Sequence, residues 1–138
     1  MFTTSRNPIA AYKQVDFDAA VQGSDPHQLI VLLFDAADAS LDKAREQIES
    51  RDILGKTASL NKATEIILDG LVASLNVEQG GELAEKLKAL YLYMVGRLVD
   101  ANVKLDPAAV TEVQNLLKQL SEAWREIGSK QGSSGTAA

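Results

Sequence analysis

Apolar positions along the chain recur at helical spacing. After Asp25-Pro26, Leu29, Leu33, Ala37, Leu41, Ala44 and Ile48 step by alternating fours and threes. That is the stripe of an amphipathic helix. Asp25 can cap it, Pro26 fits its first position, and Gln28 completes a capping box. Arg51-Asp52 predicts its end, with Asp52 capping a second helix that carries Ile53, Leu60, Ala63, Ile67, Leu71 and Leu75. Asn76 to Gly81 interrupts the pattern, and Gly80-Gly81 reads as a turn. A third helix carries Leu83, Leu87, Leu90, Met94, Leu98 and Ala101. Asp106-Pro107 repeats the cap-then-proline start, and Val110, Val113, Leu117, Leu120, Trp124 and Ile127 form the near-heptad seam of a fourth. Gly128 is expected to stop it.

The helices are each about 20 to 25 residues, or roughly 30–38 Å long. Short connections make neighbours antiparallel, so the expected fold is all-α, an up-down-up-down four-helix bundle. No run alternates as a strand would. The bundle is assigned to residues 25–128. Residues 1–24 form an N-terminal arm with a short helical segment, in which Ile9, Tyr12 and Val15 make a small stripe. Residues 129–138 have no apolar anchor and are expected to form a disordered tail.

Composition narrows the function. Of 138 residues, 46% are hydrophobic and 24% charged, as in a globular domain. There is no cysteine, which excludes disulfides and thiolate metal sites. A formal net charge of −5 disfavours nucleic acid and anionic lipid. Met1 to Asn7 lacks the apolar stretch of a signal peptide, and the longest strongly apolar run, Leu29 to Phe34, is far too short to span a membrane. A cytoplasmic location is expected.

Catalytic chemistry finds few candidates. A di-iron site in a bundle needs two Glu-x-x-His motifs and two further glutamates. The single histidine, His27, lies in a first helical turn, and no Glu-x-x-His occurs. His27 reads as a helix-start residue, or alternatively as a pH-sensitive latch beside the arm. Asp35, Asp38 and Asp42 share a helix and read as a solvated stripe. Gly80-Gly81 lacks the lysine of a phosphate loop, and Glu78 and Glu82 flank it. No enzyme, cofactor or metal is expected. The apolar surplus says more. Ile66 and Val72 on the second helix, and Tyr91, Leu92, Tyr93 and Val95 on the third, widen the arc beyond one seam. Two readings stay open: a wide core face, or a groove that accepts amphipathic segments of a partner.

Several blocks share an order and spacing with a known family. They are Ala11 to Val15 (AYKQV), Asp25 to Ala37 (DPHQLIVLLFDAA), Lys62 to Ile67 (KATEII), Ser74 to Glu82 (SLNVEQGGE), and Leu90 to Met94 (LYLYM) with Arg97-Leu98 and Ala101-Asn102. From about Ile9 to Ile127 the chain resembles the flagellin-specific export chaperones, the FliS family. The resemblance implies an antiparallel four-helix bundle with a short N-terminal helical segment. It also implies a cytoplasmic protein that binds the C-terminal region of flagellin, prevents premature filament assembly, and presents its client to the membrane export gate. Asp25, Ala36 and Asn76 depart from the family's usual Ser, Gly and Asp, and Ala36 would stiffen the first helix.

Two regions are expected to bind flagellin. One is the arm, through Ile9, Tyr12 and Val15, which the resemblance places over part of the binding surface. The other is Ile66, Leu71, Val72, Leu75, Tyr91 and Val95 on the second and third helices; the alternative is that these are core residues. A helical adaptor for another partner, and a bundle enzyme with an unrecognised site, are the competing functions.

Overall fold

Three of the helices start at an aspartate whose side chain takes up a free backbone N–H. Asp25 Oδ1 accepts from the Gln28 N–H at 2.7 Å, Asp52 Oδ1 from Gly55 at 3.0 Å, and Asp106 Oδ1 from Ala108 at 3.0 Å. Each satisfies one of the four donors that a helix start leaves open. The computed structural model describes residues 25–137, except for the side chains of 77–79 and 129–137. The helices are α1 (Pro26–Glu49), α2 (Ile53–Glu65), α3 (Val77–Lys104) and α4 (Pro107–Ala137). A π-helical segment, Ile66–Val72, continues α2. No strand occurs among the described residues. Ile9, Tyr12 and Val15 lie outside them.

The connections at one end of the bundle share a design. Arg51 and Leu105 each take a left-handed conformation, with φ of 63° and 54°. The next residue, Asp52 or Asp106, donates its N–H five residues back, to Gln47 O at 2.9 Å and to Ala101 O at 3.1 Å. This is the bond that closes a helix C-terminus before the chain reverses, and here the same aspartate then caps the following helix. The reversals make successive helices antiparallel. α1 packs against α2 and α4, α3 packs against α4, and α2 with its π segment packs against α3. The expected four-helix bundle is therefore the fold.

Its core holds the predicted seam residues Ala37, Leu41, Ala44 and Ile48 from α1, Leu60 and Ala63 from α2, Met94, Leu98 and Ala101 from α3, and Val110, Val113 and Leu117 from α4. Phe34 and Tyr91 join them. Lys56 is also buried, because its ammonium donates to Asn102 O at 2.7 Å and to Asn102 Oδ1 at 2.5 Å. That carbonyl lies in the last turn of α3, where oxygens lack helical partners and a cation is favoured.

Three expectations are corrected. The second helix is not α-helical throughout, because Ala63, Ile67, Leu71 and Leu75 step by four three times running. A straight α-helix drifts about 40° with each such step. The wider i→i+5 turn absorbs the drift and holds Ile67 and Leu71 in the core. The Gly80-Gly81 break lies within α3, which gains one turn before it and bends at Gly81 (φ 53°, ψ −127°). Gly128 does not stop the fourth helix. The helix is continuous through it, since a single interior glycine costs a helix only about 1 kcal/mol.

Candidate partner-binding face

The seam residues at the outer end of the bundle are less covered than their spacing predicts. Leu83 is 66% exposed, Ile127 45%, and Trp124 and Leu29 are half-buried. This is the end at which the chain enters α1. Pro26, His27, Leu29, Ile30, Ser74, Trp124 and Ile127 line an open, mostly apolar pocket there.

A second uncovered surface runs along α3. Leu92, Gly96, Val99 and Val103 follow one another by four, three and four residues, which places them in one row. Leu92 is 47% exposed, Val99 56% and Val103 74%. A side chain at Gly96 would meet nothing within 4 Å. Thr57 Oγ1 donates to Asn102 Oδ1 at 3.2 Å, so the start of α2 is tied to the end of α3. Leu54, 86% exposed, lies one turn before Thr57, and Val103 follows Asn102. The two therefore mark the same end of an α2/α3 face. Half-buried Val95 borders the row from the core side.

The predicted groove set divides on burial. Leu71 and Tyr91 are core residues, 2% and 4% exposed, which fits the alternative reading rather than a surface role in this conformation. Burial pushes the Tyr91 phenol up to about 12. Ile66, Val72, Leu75 and Val95 are half-buried and pack against the core. Of the exposed members of the row, Leu92 belongs to the widened apolar arc but not to the expected flagellin-binding set, and Val99 and Val103 belong to neither. Their spacing was the available signal, since it continues a helical stripe on the side away from the Met94 and Leu98 seam.

The flank of α3 facing α4 is polar. Tyr93 donates its hydroxyl to Glu112 Oε2, and Arg97 Nε donates to Glu112 Oε1 at 2.7 Å while its Nη1 meets Asp100 Oδ2 at 3.0 Å. The Tyr93 hydroxyl, and then Arg97, hold the Glu112 carboxyl below the usual glutamate value. The opposite α1/α4 side is polar as well. Gln114 donates to Asp38 Oδ1 at 3.1 Å and to Asp42 Oδ1 at 2.8 Å, and accepts from Arg45 at 3.1 Å. The α3 row therefore stands as an apolar strip bordered on its α4 side by an ion-paired surface. Among the described residues no group of three or more His, Asp or Glu could hold a metal ion, and no helix is long and apolar enough to cross a membrane.

Comparison with known proteins identifies the family. Residues 8–131 match the family described as Flagellar protein FliS. Over 130 residues the chain is 45% identical to the Flagellar secretion chaperone FliS of Salmonella typhimurium, covering 94% of this chain and 95% of that one. It is 41% identical over 116 residues to the Flagellar secretion chaperone FliSB of Pseudomonas aeruginosa, covering 84% and 91%. It is 30% identical over 121 residues to the Flagellar secretion chaperone FliS of Bacillus subtilis, covering 88% and 86%.

Proposed function

The chain belongs to the FliS family of flagellar proteins, and on that premise we propose that it is a cytoplasmic export chaperone for flagellin. It binds the C-terminal region of flagellin, keeps that region from polymerising prematurely, and delivers it to the flagellar type III secretion apparatus. It acts by binding rather than by catalysis.

The observation that carries this reading is the exposed row Leu92, Gly96, Val99 and Val103, with Leu54 beside its end. A polymerising segment is sticky because it presents an apolar helix face. A row of apolar side chains at helical spacing, with a glycine at its centre, accepts such a face closely. A long client also needs its contact spread widely, because ordering a flexible segment costs free energy. The half-buried Ile66, Val72, Leu75 and Val95 extend the surface. The arm residues Ile9, Tyr12 and Val15 belong to the same scheme: they cover apolar surface in the free protein and shift when the client binds. The open pocket beside the start of α1 supports this, because the arm joins the bundle there.

Calorimetric titration with a peptide spanning the flagellin C-terminal region tests the proposal. One-to-one binding with a large negative heat-capacity change is expected, since apolar surface is buried. Absence of binding at tens of micromolar (Kd above about 10⁻⁵ M) would overturn it and favour a different client.

A further inference from the structure

We propose that the π-helical segment Ile66–Val72 is a two-register element, which turns Leu71 and Leu75 from the core toward the α2/α3 face when a client occupies that face. The inference deepens the reading of the chain as a flagellin chaperone and rests on it.

The first observation is the register itself. With the π segment in place, Ile67 and Leu71 are buried and Leu75 packs against the core. If α-helical geometry continued from Glu65 instead, the inward positions after Ile67 would fall to Gly70 and Ser74. Leu71 and Leu75 would rotate by about 80° and 120° relative to Ala63. Both would arrive on the flank carrying Thr57 and Thr64, and the bond from Thr57 to Asn102 identifies that flank as the one facing α3.

The second observation is that five-back and four-back hydrogen bonds meet on neighbouring residues at the end of the segment. Ala73 N–H is shared between Leu68 O, five residues back at 3.3 Å, and Gly70 O, while Ser74 N–H goes four residues back to Gly70 O at 3.1 Å. Ser74 Oγ holds the same carbonyl at 2.6 Å. The change therefore exchanges neighbouring hydrogen bonds rather than breaking a long ladder. A third observation concerns the positions that would turn inward. Gly70 has no side chain, and Leu33 already lies where its Cβ would be, with Cδ2 2.8 Å away. Gly70 and Ser74 are small enough to face the core but fill it poorly.

In the free chain, burial of Leu71 and packing of half-buried Leu75 against the core hold the π register. A client with an apolar face supplies new contact for those leucines only in the α register, and such differential contact is what shifts a two-state equilibrium. π turns inside helices are frequently found at functional sites.

Deletion of exposed Asp69 tests the proposal. It converts the 4-4-4 spacing to 4-3-4, so an unbroken α-helix keeps both leucines inward with no second register available. The deletion chain is expected to fold with a melting temperature no lower than that of the parent, and to bind the flagellin C-terminal peptide more weakly by about tenfold or more. Equal affinity in the two chains would overturn the register element while leaving the chaperone reading intact. Failure of the parent chain to bind would remove that reading. Hydrogen exchange of the parent with and without peptide gives a second readout, independent of how the deletion folds. Amide protection between Leu68 and Leu75 is expected to change on binding, and unchanged protection there would also overturn the proposal.

Discussion

His27 and Trp124 hold each other through both ring and backbone. Their rings stack at 5.0 Å with 7° between planes. The Trp124 indole donates to His27 O at 3.0 Å, and His27 Nε2 lies 2.6 Å from Trp124 O. A carbonyl oxygen only accepts, so Nε2 carries the proton. The pair ties the first turn of α1 to α4, 97 residues later. Gly128 makes room for it, since a Cβ there would stand 2.1 Å from the imidazole Cε1.

Gly128→Ala should therefore weaken the bundle, although alanine is the better helix residue. The ring must move, and displacing a packed group costs about 1–3 kcal/mol, more than the roughly 1 kcal/mol that helix propensity returns. Trp124 is the only tryptophan, so its emission reports the site directly. A lower melting temperature with a red-shifted folded-state spectrum is expected. A higher melting temperature with an unchanged spectrum would show that the stack does not depend on the glycine.

Features set by neighbouring residues could be read from the sequence, and features set by distant ones could not. The caps at Asp25, Asp52 and Asp106 are local chemistry, and each forms as predicted. The α4 seam from Val110 to Leu117 is buried because a spacing of threes and fours has one geometric meaning. Leu90 to Met94 is apolar on every side of a helix, so phase alone did not separate buried Tyr91 from exposed Leu92. Lys56 is buried only because Asn102 meets it, a contact 46 residues away. Gly128 looked like a stop because its partner, His27, lies at the other end of the chain. The three consecutive fours from Ala63 to Leu75 did carry the π segment, but an α-helical template absorbs them as ordinary scatter.

Arg51→Gly should stabilise the protein. Arg51 is exposed and left-handed (φ 63°), a conformation costing a side-chain-bearing residue about 1–2 kcal/mol and glycine almost nothing. Glycine's larger unfolded-state entropy offsets part of this, leaving a gain of about 0.5–1 kcal/mol in chemical denaturation. Leu105 is the control. It shares the conformation but packs against the core, so Leu105→Gly loses contact as well as strain and should not stabilise. Equal gains at both positions would mean that packing of Leu105 contributes nothing.

Binding and folding should separate on α3. Tyr91→Ala removes a core side chain and should cost about 2–5 kcal/mol of stability. Val99→Asp paired with Val103→Asp changes exposed positions and should leave stability within about 0.5 kcal/mol per site. The aspartate pair places charge on the apolar row and should weaken the flagellin peptide by at least about tenfold. Unchanged affinity in the aspartate pair would remove the α3 row from the client surface.

The two pH limits of stability should trace to different residues. Glu112 has a lowered pKa in the folded protein, first because Tyr93 donates to it and then because Arg97 does. Its contribution is present above the ordinary value of 4.5 and is lost as pH falls through the folded value. Tyr91 has the opposite sign. Burial raises it from 10.0 to about 12, so its contribution is whole below pH 10.0 and disappears as pH rises toward about 12. Urea titrations across pH distinguish the two. Glu112→Gln should flatten the acid limb and leave the Tyr91 part of the alkaline limb intact, while Tyr91→Phe should flatten the alkaline limb and leave the acid limb unchanged. Tyr93 enters the alkaline side as well as the acid one, because its phenol is also raised, chiefly through its bond to Glu112. Comparing Tyr91→Phe with Tyr93→Phe resolves this: if the phenol buried in the core controls the alkaline limit, Tyr91→Phe should shift that limit further. A larger shift from Tyr93→Phe would place the alkaline limit in the Tyr93, Glu112 and Arg97 cluster on the surface.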